Sequence, residues 1–127
     1  MPAKATAVLF VETIEKSLPF FEAAGFTRTV EVPHDNHIGF VILQNGPAEV
    51  MLQSFASATA DVTTLDPKDI KASLTYLFVE VDDLPAVEHA LKPYKIVIPR
   101  RKTSYGADET GYREPSGHFV TFAQFAR

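Results

Sequence analysis

The histidines are the residues of this chain that most directly suggest metal or acid–base chemistry. His34 and His37 flank an Asp-Asn turn, and with Asp35 they could form a loose surface metal site, although solvated turn residues are the simpler interpretation. His89 lies on a predicted helix, where we expect it to be exposed. His118 follows a Ser-Gly turn and is expected to hydrogen-bond within that turn. No two histidines have the spacing of a helical metal-binding pair, so the histidines alone predict no metal centre.

Other reactive residue types are absent or have a simpler structural role. The chain has no cysteine, which excludes disulfides, thiolate metal sites and cysteine nucleophiles. It contains neither a Gly-x-Ser-x-Gly nucleophile elbow nor a glycine-rich phosphate loop. The carboxylate pair Asp82-Asp83 fits a helix N-cap. The basic run Arg100-Arg101-Lys102 fits a solvated strand end or a charged edge strand, and contact with an anionic ligand or nucleic acid is the less favoured interpretation.

The composition indicates one small globular domain. The 127 residues are 46% hydrophobic and 22% charged, and 12 Lys+Arg against 16 Asp+Glu give a net charge of −4. An acidic chain is a poor candidate for binding the phosphate backbone of nucleic acid. No apolar run reaches the ~20 residues of a membrane span, and the first residues do not resemble a signal peptide. We therefore expect a cytoplasmic protein with neither a nucleic-acid nor a membrane partner.

The first half of the chain predicts the order β-α-β-β-β. Its predicted strands are Ala5–Val11, Phe26–Val32, His37–Gln44 and Glu49–Gln53. Between the last two strands, Asn45-Gly46 predicts a type I′ hairpin turn, because both central residues of that turn need positive φ.

The helix of this half has a clear end and an ambiguous start. Gly25 predicts a left-handed helix cap, with Phe26 folded back onto the helix. Ser17 as N-cap would leave Pro19 in the first turn, where proline is tolerated. We therefore expect a loose turn from Thr13 and a regular helix from about Ser17.

The second half repeats this order after a linker. Ser54–Ser73 is rich in Ala, Ser, Thr and Asp without a sustained period, and we interpret it as a linker with a helical turn near Lys68–Ala72. Asp83 then predicts a helix N-cap with Pro85 in the first turn, and Pro93 ends that helix. The predicted strands are Leu74–Val81, Tyr94–Ile98, Thr110–Arg113 and His118–Phe125. Glu114-Pro115-Ser116-Gly117 predicts the turn between the last two.

Matching tetrapeptides strengthen the evidence for an internal repeat. Leu9-Phe10-Val11-Glu12 recurs as Leu77-Phe78-Val79-Glu80, whereas aligning the loops pairs Val11-Glu12-Thr13-Ile14 with Val81-Asp82-Asp83-Leu84. The two alignments differ by two residues, so each side chain keeps its face in either one. The single domain 1–127 is thus predicted to consist of repeat 5–53, linker 54–73 and repeat 74–125.

Several motifs resemble the vicinal oxygen chelate superfamily of glyoxalases, bleomycin resistance proteins and extradiol dioxygenases. They are Val11–Leu18 with Phe20-Phe21 and Gly25-Phe26, the aromatic-Gly-x-x-Glu segment Tyr105–Glu109, and the turn segment Arg113–His118. The resemblance covers about Ala5 to Phe125. It implies an α+β fold in which two βαβββ repeats form a curled mixed sheet, as half-barrels, around a shared cleft with the helices outside.

The resemblance can be tested at the family's metal-ligand positions, which fall on Thr6, Met51, Tyr76 and Thr121. None of these is His, Asp or Glu, so the set is unsuited to Zn, Mg, Mn or Fe(II). A shift of two residues would offer Glu49 and Glu80 but still no histidine pair. We therefore expect no cofactor, and a divalent metal at a non-standard site is the alternative.

The cleft is expected to be apolar and aromatic, as small-molecule sites usually are. The alternative is that the same aromatics fill the core. Strand alternation puts Thr6, Val8 and Phe10 on one face and Tyr76, Phe78 and Glu80 on the matching face of the second repeat. The resemblance implies that the faces carrying Thr6 and Tyr76 point into the cleft. The ligand-binding residues expected on this basis are Phe10, Phe40, Met51, Tyr76, Phe78, Tyr105, Glu109, Tyr112 and Thr121, joined by Ile42, with Tyr105, Glu109 and Tyr112 near the mouth.

The resemblance implies three possible functions. The favoured one is a metal-free small-molecule-binding protein of the bleomycin-resistance type, a homodimer that sequesters a cationic aromatic antibiotic and confers resistance without catalysis. The net charge of −4 agrees with such a ligand. The alternatives are a lyase, isomerase or dioxygenase of the same family, with Glu80 or Glu109 as base, and an interaction domain without a ligand.

Overall fold

The computed structural model describes residues 2–126, in which the β-α-β-β-β order occurs twice, as predicted. In chain order the elements are β1 (Ala7–Val11), α1 (Ile14–Ala23), β2 (Thr27–His34), β3 (His37–Asn45), β4 (Ala48–Ser54), α2 (Phe55–Asp61), α3 (Pro67–Ala72), β5 (Tyr76–Glu80), α4 (Leu84–Ala90), β6 (Lys95–Lys102), β7 (Ala107–Arg113) and β8 (Phe119–Phe125). The first repeat comprises β1 to β4 with α1, and the second comprises β5 to β8 with α4.

Each repeat forms its own four-stranded mixed sheet. The strand orders are β1-β4-β3-β2 and β5-β8-β7-β6, and in each sheet the first strand of the repeat runs parallel to the last. The remaining neighbours are antiparallel hairpins. The α+β class with two βαβββ repeats is therefore confirmed, and each repeat forms a separate, unclosed mixed sheet.

The strand registers settle the alignment of the two repeats. Val8 pairs with Met51 in the first sheet, and Phe78 pairs with Thr121 in the second. Both members of the second pair lie 70 positions after their counterparts (78 − 8 and 121 − 51 both give 70). The alignment of the loops is therefore correct, and the matching Leu-Phe-Val-Glu tetrapeptides are offset by two residues.

Helix α1 starts earlier than predicted. Thr13 is its N-cap, since its side chain accepts the Lys16 N–H at 3.3 Å, so the predicted loose turn before Ser17 is already helical. Pro19 consequently lies inside the helix, where it removes one backbone hydrogen bond. Burial of the helix against the sheets outweighs the cost of this lost hydrogen bond, because Phe20 and Phe21 are fully buried.

The end of α1 agrees with the prediction. Gly25 has φ of 100° and its N–H donates to Glu22 O at 3.0 Å, while Phe26 N–H donates to Phe21 O at 3.0 Å. These two bonds form a Schellman motif. The rings of Phe21 and Phe26 meet edge to face at 5.9 Å, so the apolar contact that usually accompanies the motif is also present.

The hairpin after β3 forms, but not as a type I′ turn centred on Asn45-Gly46. Asn45 pairs with Ala48, so the two loop residues are Gly46 and Pro47. Gly46 has φ of 58°. Proline is confined to negative φ, which excludes a turn that needs two positive values.

The segment 54–73 is more ordered than a linker. It contains α2 and α3, and only the second was anticipated from the sequence. Ser54 caps α2 by accepting the Ser57 N–H, and Asp66 caps α3 by accepting the Lys68 N–H. Ala58 of α2 and Ile70 of α3 are fully buried, and they anchor these short helices to the sheet.

The hydrophobic core includes residues from both repeats. Phe20 on α1 packs edge to face on Tyr94 at 5.0 Å and on Tyr112 at 6.4 Å, and it also contacts Phe122. All three partners belong to the second repeat, although Phe20 belongs to the first. One helix therefore joins the two sheets through aromatic packing.

A buried histidine forms a second junction between the repeats. His118 Nδ1 accepts the Thr75 N–H at 2.9 Å, so the ring proton is on Nε2, which donates to Phe10 O at 2.7 Å. The Glu114 carboxylate accepts the N–H groups of Ser116 and His118. The predicted turn is present, and His118 also reaches across to β1.

Candidate functional site

The two sheet faces that lie away from α1 and α4 are candidates for a binding site. The first face carries Thr6, Val8, Phe10, Phe40, Ile42, Met51 and Gln53, since these residues alternate with the core positions or pair with one another across β1, β3 and β4. The second face carries Tyr76, Phe78, Glu80, Glu109, Thr121 and Phe125 on β5, β7 and β8.

Both faces expose large apolar side chains. Val8, Val30 and Val32 on the first sheet are 41%, 44% and 47% exposed. On the second face Tyr76 and Phe78 are 56% and 42% exposed. Isolated exposed apolar residues are common, but a row of them along one sheet face usually indicates a surface that binds a ligand or another protein.

The positions that correspond to the family's metal ligands form other contacts. Tyr76 Oη and Thr121 Oγ1 are 2.8 Å apart and share a hydrogen bond. Thr6 donates to Glu49 Oε1 at 3.2 Å, and Met51 supplies only a thioether. Neutral hydroxyls bonded to each other, with a soft sulfur, do not fit a hard divalent cation.

Glu49 does not provide the missing ligand. Its carboxylate lies 2.9 Å from Lys4 Nζ and accepts from Gln44 Nε2 at 2.7 Å. The hydrogen bond from Lys4, followed by the one from Gln44, lowers the pKa of Glu49 below its usual range. Within residues 2–126 no group of three or more His, Asp or Glu side chains is arranged to hold a metal ion.

The second face also carries a buried carboxylate with two partners. Glu109 is 1% exposed, and its Oε1 accepts the hydroxyl of Tyr105 at 2.7 Å. Its Oε2 accepts from Arg101 Nε at 3.0 Å and lies 3.0 Å from Arg101 Nη2. The guanidinium neutralises the carboxylate, as burial of a charge requires. The hydrogen bond to Glu109 raises the pKa of Tyr105, which therefore stays protonated as a donor.

Three aromatic rings form a cluster that includes Tyr105, the residue whose hydroxyl bonds to this carboxylate. The ring centroids of Phe78 and Tyr105 are 6.5 Å apart, those of Tyr105 and Phe125 are 6.0 Å apart, and those of Phe78 and Phe125 are 6.4 Å apart. Tyr105 is 54% and Phe125 is 36% exposed. The arrangement is an open triangle of rings that can accept a flat apolar partner.

The fold built around these faces occurs in known structures. The crystal structure of TioX from Micromonospora sp. ML1 superposes with a TM-score of 0.76 at 17% identity, over 98% of this chain and 100% of that one. A bleomycin-binding protein complexed with bleomycin gives 0.66 at 19% identity, over 98% and 100% of the chains. A lactoylglutathione lyase from Agrobacterium tumefaciens gives 0.72 at 13% identity, over 98% and 94%.

The chain has the vicinal oxygen chelate fold. At these identities the likeness concerns the fold alone, and it confirms the fold that the motif resemblance implied. No protein-family profile matches the chain, and no curated protein sequence matches it. Because this fold carries unrelated activities, its function must be argued from the residues on its two faces.

Tyr112, which was expected to line the cleft, lies in the core instead. It points to the opposite side of β7 from Glu109, is 1% exposed, and packs against Phe20 and Phe122 in the core. The strand period decides this, because Tyr112 is an odd number of residues from Glu109. Burial, followed by the charge of Glu88, raises the pKa of Tyr112.

The basic run on the edge strand β6 is neutralised residue by residue. Arg100 Nε lies 3.4 Å from Glu88 Oε2, and Lys102 Nζ lies 3.1 Å from Asp108 Oδ1. Arg101 is the partner of Glu109. Each cation therefore has a carboxylate, which agrees with the favoured prediction of a charged edge strand.

The histidines other than His118 lie at the surface. His34 Nε2 is 3.6 Å from Asp35 Oδ2, and His37 Nδ1 is 3.8 Å from Glu15 Oε2. Both histidines lie at the tip of the β2–β3 hairpin, His37 beside Glu15 of α1, and both agree with solvated turn residues. Glu15 also accepts the Ile38 N–H at 2.9 Å, and this bond lowers its pKa.

Grooves beside the two faces include residues that the sequence did not suggest. A groove of about 740 Å³ borders Phe125, Gly106 of the β6–β7 turn, and the start of α4 at Asp83 and Pro85. Another of about 450 Å³ lies beside Phe40 and is closed on one side by α2, where Gln53 Nε2 donates to Ser57 Oγ at 3.2 Å. The sequence feature that could have predicted α2 is Ser54, a possible N-cap, followed by an alanine-rich segment.

Among residues 2–126, no helix has the length and hydrophobicity needed to cross a membrane.

Proposed function

We propose that this chain is a small-molecule-binding protein that acts without a metal ion and binds a flat aromatic ligand on the sheet faces that lie away from α1 and α4. One observation carries the proposal. Where the family's metal ligands would stand in the second repeat, Tyr76 and Thr121 hydrogen-bond to each other at 2.8 Å, beside an exposed aromatic face. The local chemistry therefore favours stacking over Lewis-acid catalysis.

The structural neighbours support binding and catalysis as properties of this fold in other proteins. One neighbour is complexed with bleomycin and another is a lactoylglutathione lyase. In this chain, the metal-ligand positions of the family carry no His, Asp or Glu, the donors that a divalent metal prefers. This difference favours the binding role.

The finer proposal is that the ligand is a cationic aromatic antibiotic, which the protein sequesters and to which it confers resistance. The net charge of −4 attracts cations over a distance. Glu80 is exposed on the second face, two residues from Phe78 on the same strand. A ligand that stacks on Phe78 could therefore place a positive group near a carboxylate.

We also propose that the binding unit is a homodimer in the cytoplasm. The exposed valines of the first sheet and the exposed rings of the second leave two apolar faces open in a single chain. A second copy would cover these faces, and isologous contacts between identical chains are the commonest way to do so.

The enzyme alternative would use Glu80 or Glu109 as a base. Each oxygen of Glu109 already accepts a hydrogen bond, from Tyr105 or Arg101, and the residue is 1% exposed, so a substrate has little access to this carboxylate. Glu80 is exposed and remains the residue to test for this alternative.

The test combines metal analysis with calorimetric titration of the purified protein. We expect no stoichiometric Zn, Ni, Mn or Fe, and saturable binding of bleomycin or of the planar cationic dye proflavine. Spermidine, which is cationic but not aromatic, serves as control and should bind much more weakly. Stoichiometric metal held by the protein, or proflavine binding no tighter than spermidine binding, would contradict the proposal.

A further inference from the structure

We propose that Arg101 and Glu109 form a latch that holds Tyr105 in place as a stacking platform for the ligand. The inference rests on the proposed function, and it assigns Arg101 and Glu109 as positioning residues and Tyr105, with Phe78 and Phe125, as ligand-contacting residues. Glu109 itself is then neither a ligand contact nor a base.

The first step is the contrast between the two ends of Tyr105. The side chain is 54% exposed, yet its hydroxyl is tied at 2.7 Å to a carboxylate that is 1% exposed. An exposed tyrosine in a turn ordinarily samples several rotamers, and ordering it costs conformational entropy. A charge-assisted bond to a buried acceptor selects one orientation before any ligand arrives.

The second step is that the backbone beneath Tyr105 is also held. Ala107 N–H donates to Thr103 Oγ1 at 3.0 Å, and Gly106 N–H donates to Thr103 O at 3.3 Å. Ala126 N–H donates to Gly106 O at 3.0 Å, and Gly106 has φ of 87°, which a residue with a Cβ rarely adopts. The turn is therefore fixed, and the remaining freedom is in the side-chain torsions of Tyr105.

The third step is the cost of the latch. A buried carboxylate is unfavourable unless it is paired, and Arg101 supplies the pairing through two of its nitrogens. If position 109 served only to fill space in the packing, an apolar residue would be sufficient there. The pair instead orients a hydroxyl toward the interior and a ring toward solvent.

The latch also narrows the chemistry of the ligand. Arg101 and Glu109 together carry no net charge, so the platform itself does not select a cation. The Arg101 side chain is 57% exposed and bonds to Glu109 through Nε and Nη2, which leaves Nη1 as a donor. A flat ring system that carries an oxygen acceptor on its edge, such as a carbonyl or carboxylate, would stack on Tyr105 and bond to Arg101.

The neighbouring ion pair offers a matched control. Lys102 and Asp108 are adjacent in sequence to the latch residues and pair at 3.1 Å across the same two strands, but within residues 2–126 no hydrogen bond or ion pair links them to Tyr105. Removing a charge from this pair tests for general effects of edge-strand electrostatics. The variants are R101M, E109Q and Y105F for the latch, Y105A for the platform, and K102M and D108N as controls.

The experiment has one readout that needs no ligand. In the wild type we expect NMR contacts between the ring protons of Tyr105 and those of Phe78 and Phe125. Y105F and R101M should weaken these contacts while K102M and D108N leave them unchanged. Y105F is decisive because it keeps the ring and removes only the latched hydroxyl, so unchanged ring contacts in Y105F would overturn the latch.

The second readout is the affinity for two flat probes, acridine carboxylate and proflavine. Y105A should weaken both by about tenfold, whereas R101M should weaken acridine carboxylate more than proflavine. Equal losses of both probes in R101M would overturn the role assigned to the Arg101 donor. If neither probe binds the wild type, the proposed function fails, and the ring contacts still decide whether the latch exists.

Discussion

The Nε2 atom of His118 lies 2.7 Å from the carbonyl oxygen of Phe10, and this bond joins a turn of the second repeat to the first strand of the first repeat. The same ring accepts the Thr75 N–H, so both of its nitrogens are used while the side chain is completely buried. Together with Phe20, this ring holds two separately hydrogen-bonded sheets against each other. Their relative placement determines the shape of the two sheet faces that lie away from α1 and α4.

We expect His118→Ala to be strongly destabilising. It leaves the Phe10 carbonyl and the Thr75 amide without their partner, and each buried unsatisfied group costs about 1–3 kcal/mol. The free energy of unfolding, measured by urea denaturation, should fall by at least about 2 kcal/mol. His89→Ala removes an exposed histidine and should be nearly neutral. Equal effects of the two substitutions would show that the ring of His118 is not a junction.

We expect Glu15 to stabilise the protein at neutral pH and not in acid. The Ile38 N–H lowers the pKa of Glu15 below its ordinary value of 4.5, so the charged form is favoured by folding. This contribution is fully present above that value and is lost as the pH falls through the lowered pKa. E15Q should therefore be less stable than the wild type at pH 7 and approach it in acid. Thermal melts across pH, with E80Q to correct for the loss of one surface carboxylate, measure the difference; a constant gap would contradict the assignment.

We expect chelators to leave the protein unchanged. The ligand positions of the family carry Thr6, Met51, Tyr76 and Thr121, and two of these hydroxyls bond to each other. EDTA should not lower the melting temperature, and added Zn²⁺ or Mn²⁺ should not raise it, because a ligand stabilises only the state that binds it. A stabilisation that saturates at one metal ion per chain would reveal a non-standard site.

We expect the exposed valines of β2 to contribute to the proposed dimer. V30T/V32T keeps the β-branched shape but places hydroxyls on a face that dimerisation would bury, which costs free energy without a new partner. Sedimentation should then show a shift toward monomer. L65T alters an exposed apolar residue outside the two faces and should leave the equilibrium unchanged. Identical sedimentation of the wild type and V30T/V32T would place the interface elsewhere.

Much of the fold could be predicted from sequence features that act over a few residues. Gly25 with Phe26 marked the end of α1, Asp83 with Pro85 marked the start of α4, and the doubled order of elements indicated the repeat. These signals are local because caps and turns depend on the φ values and side-chain hydrogen bonds of a few residues. Where local rules failed, packing overrode them: Pro19 stays inside α1 because its neighbours are buried by both sheets.

The candidate site could be predicted from the sequence only in part. Alternation along each strand correctly separates Phe78 from Val79, since successive side chains point to opposite faces. The same period assigns Tyr112 to the core once Glu109 is placed on the open face. The Tyr76–Thr121 bond could not be read in this way, because it joins strands 45 residues apart.

The sequence by itself therefore determined the repeat, the faces of the strands and the unsuitability of four positions for a hard metal ion, because side-chain type and period suffice for these. Only the tertiary structure decided what the polar groups do. It paired Arg101 with Glu109, tied Glu109 to Tyr105 and set His118 between the repeats, since hydrogen bonds between distant strands depend on register and on the docking of the two sheets.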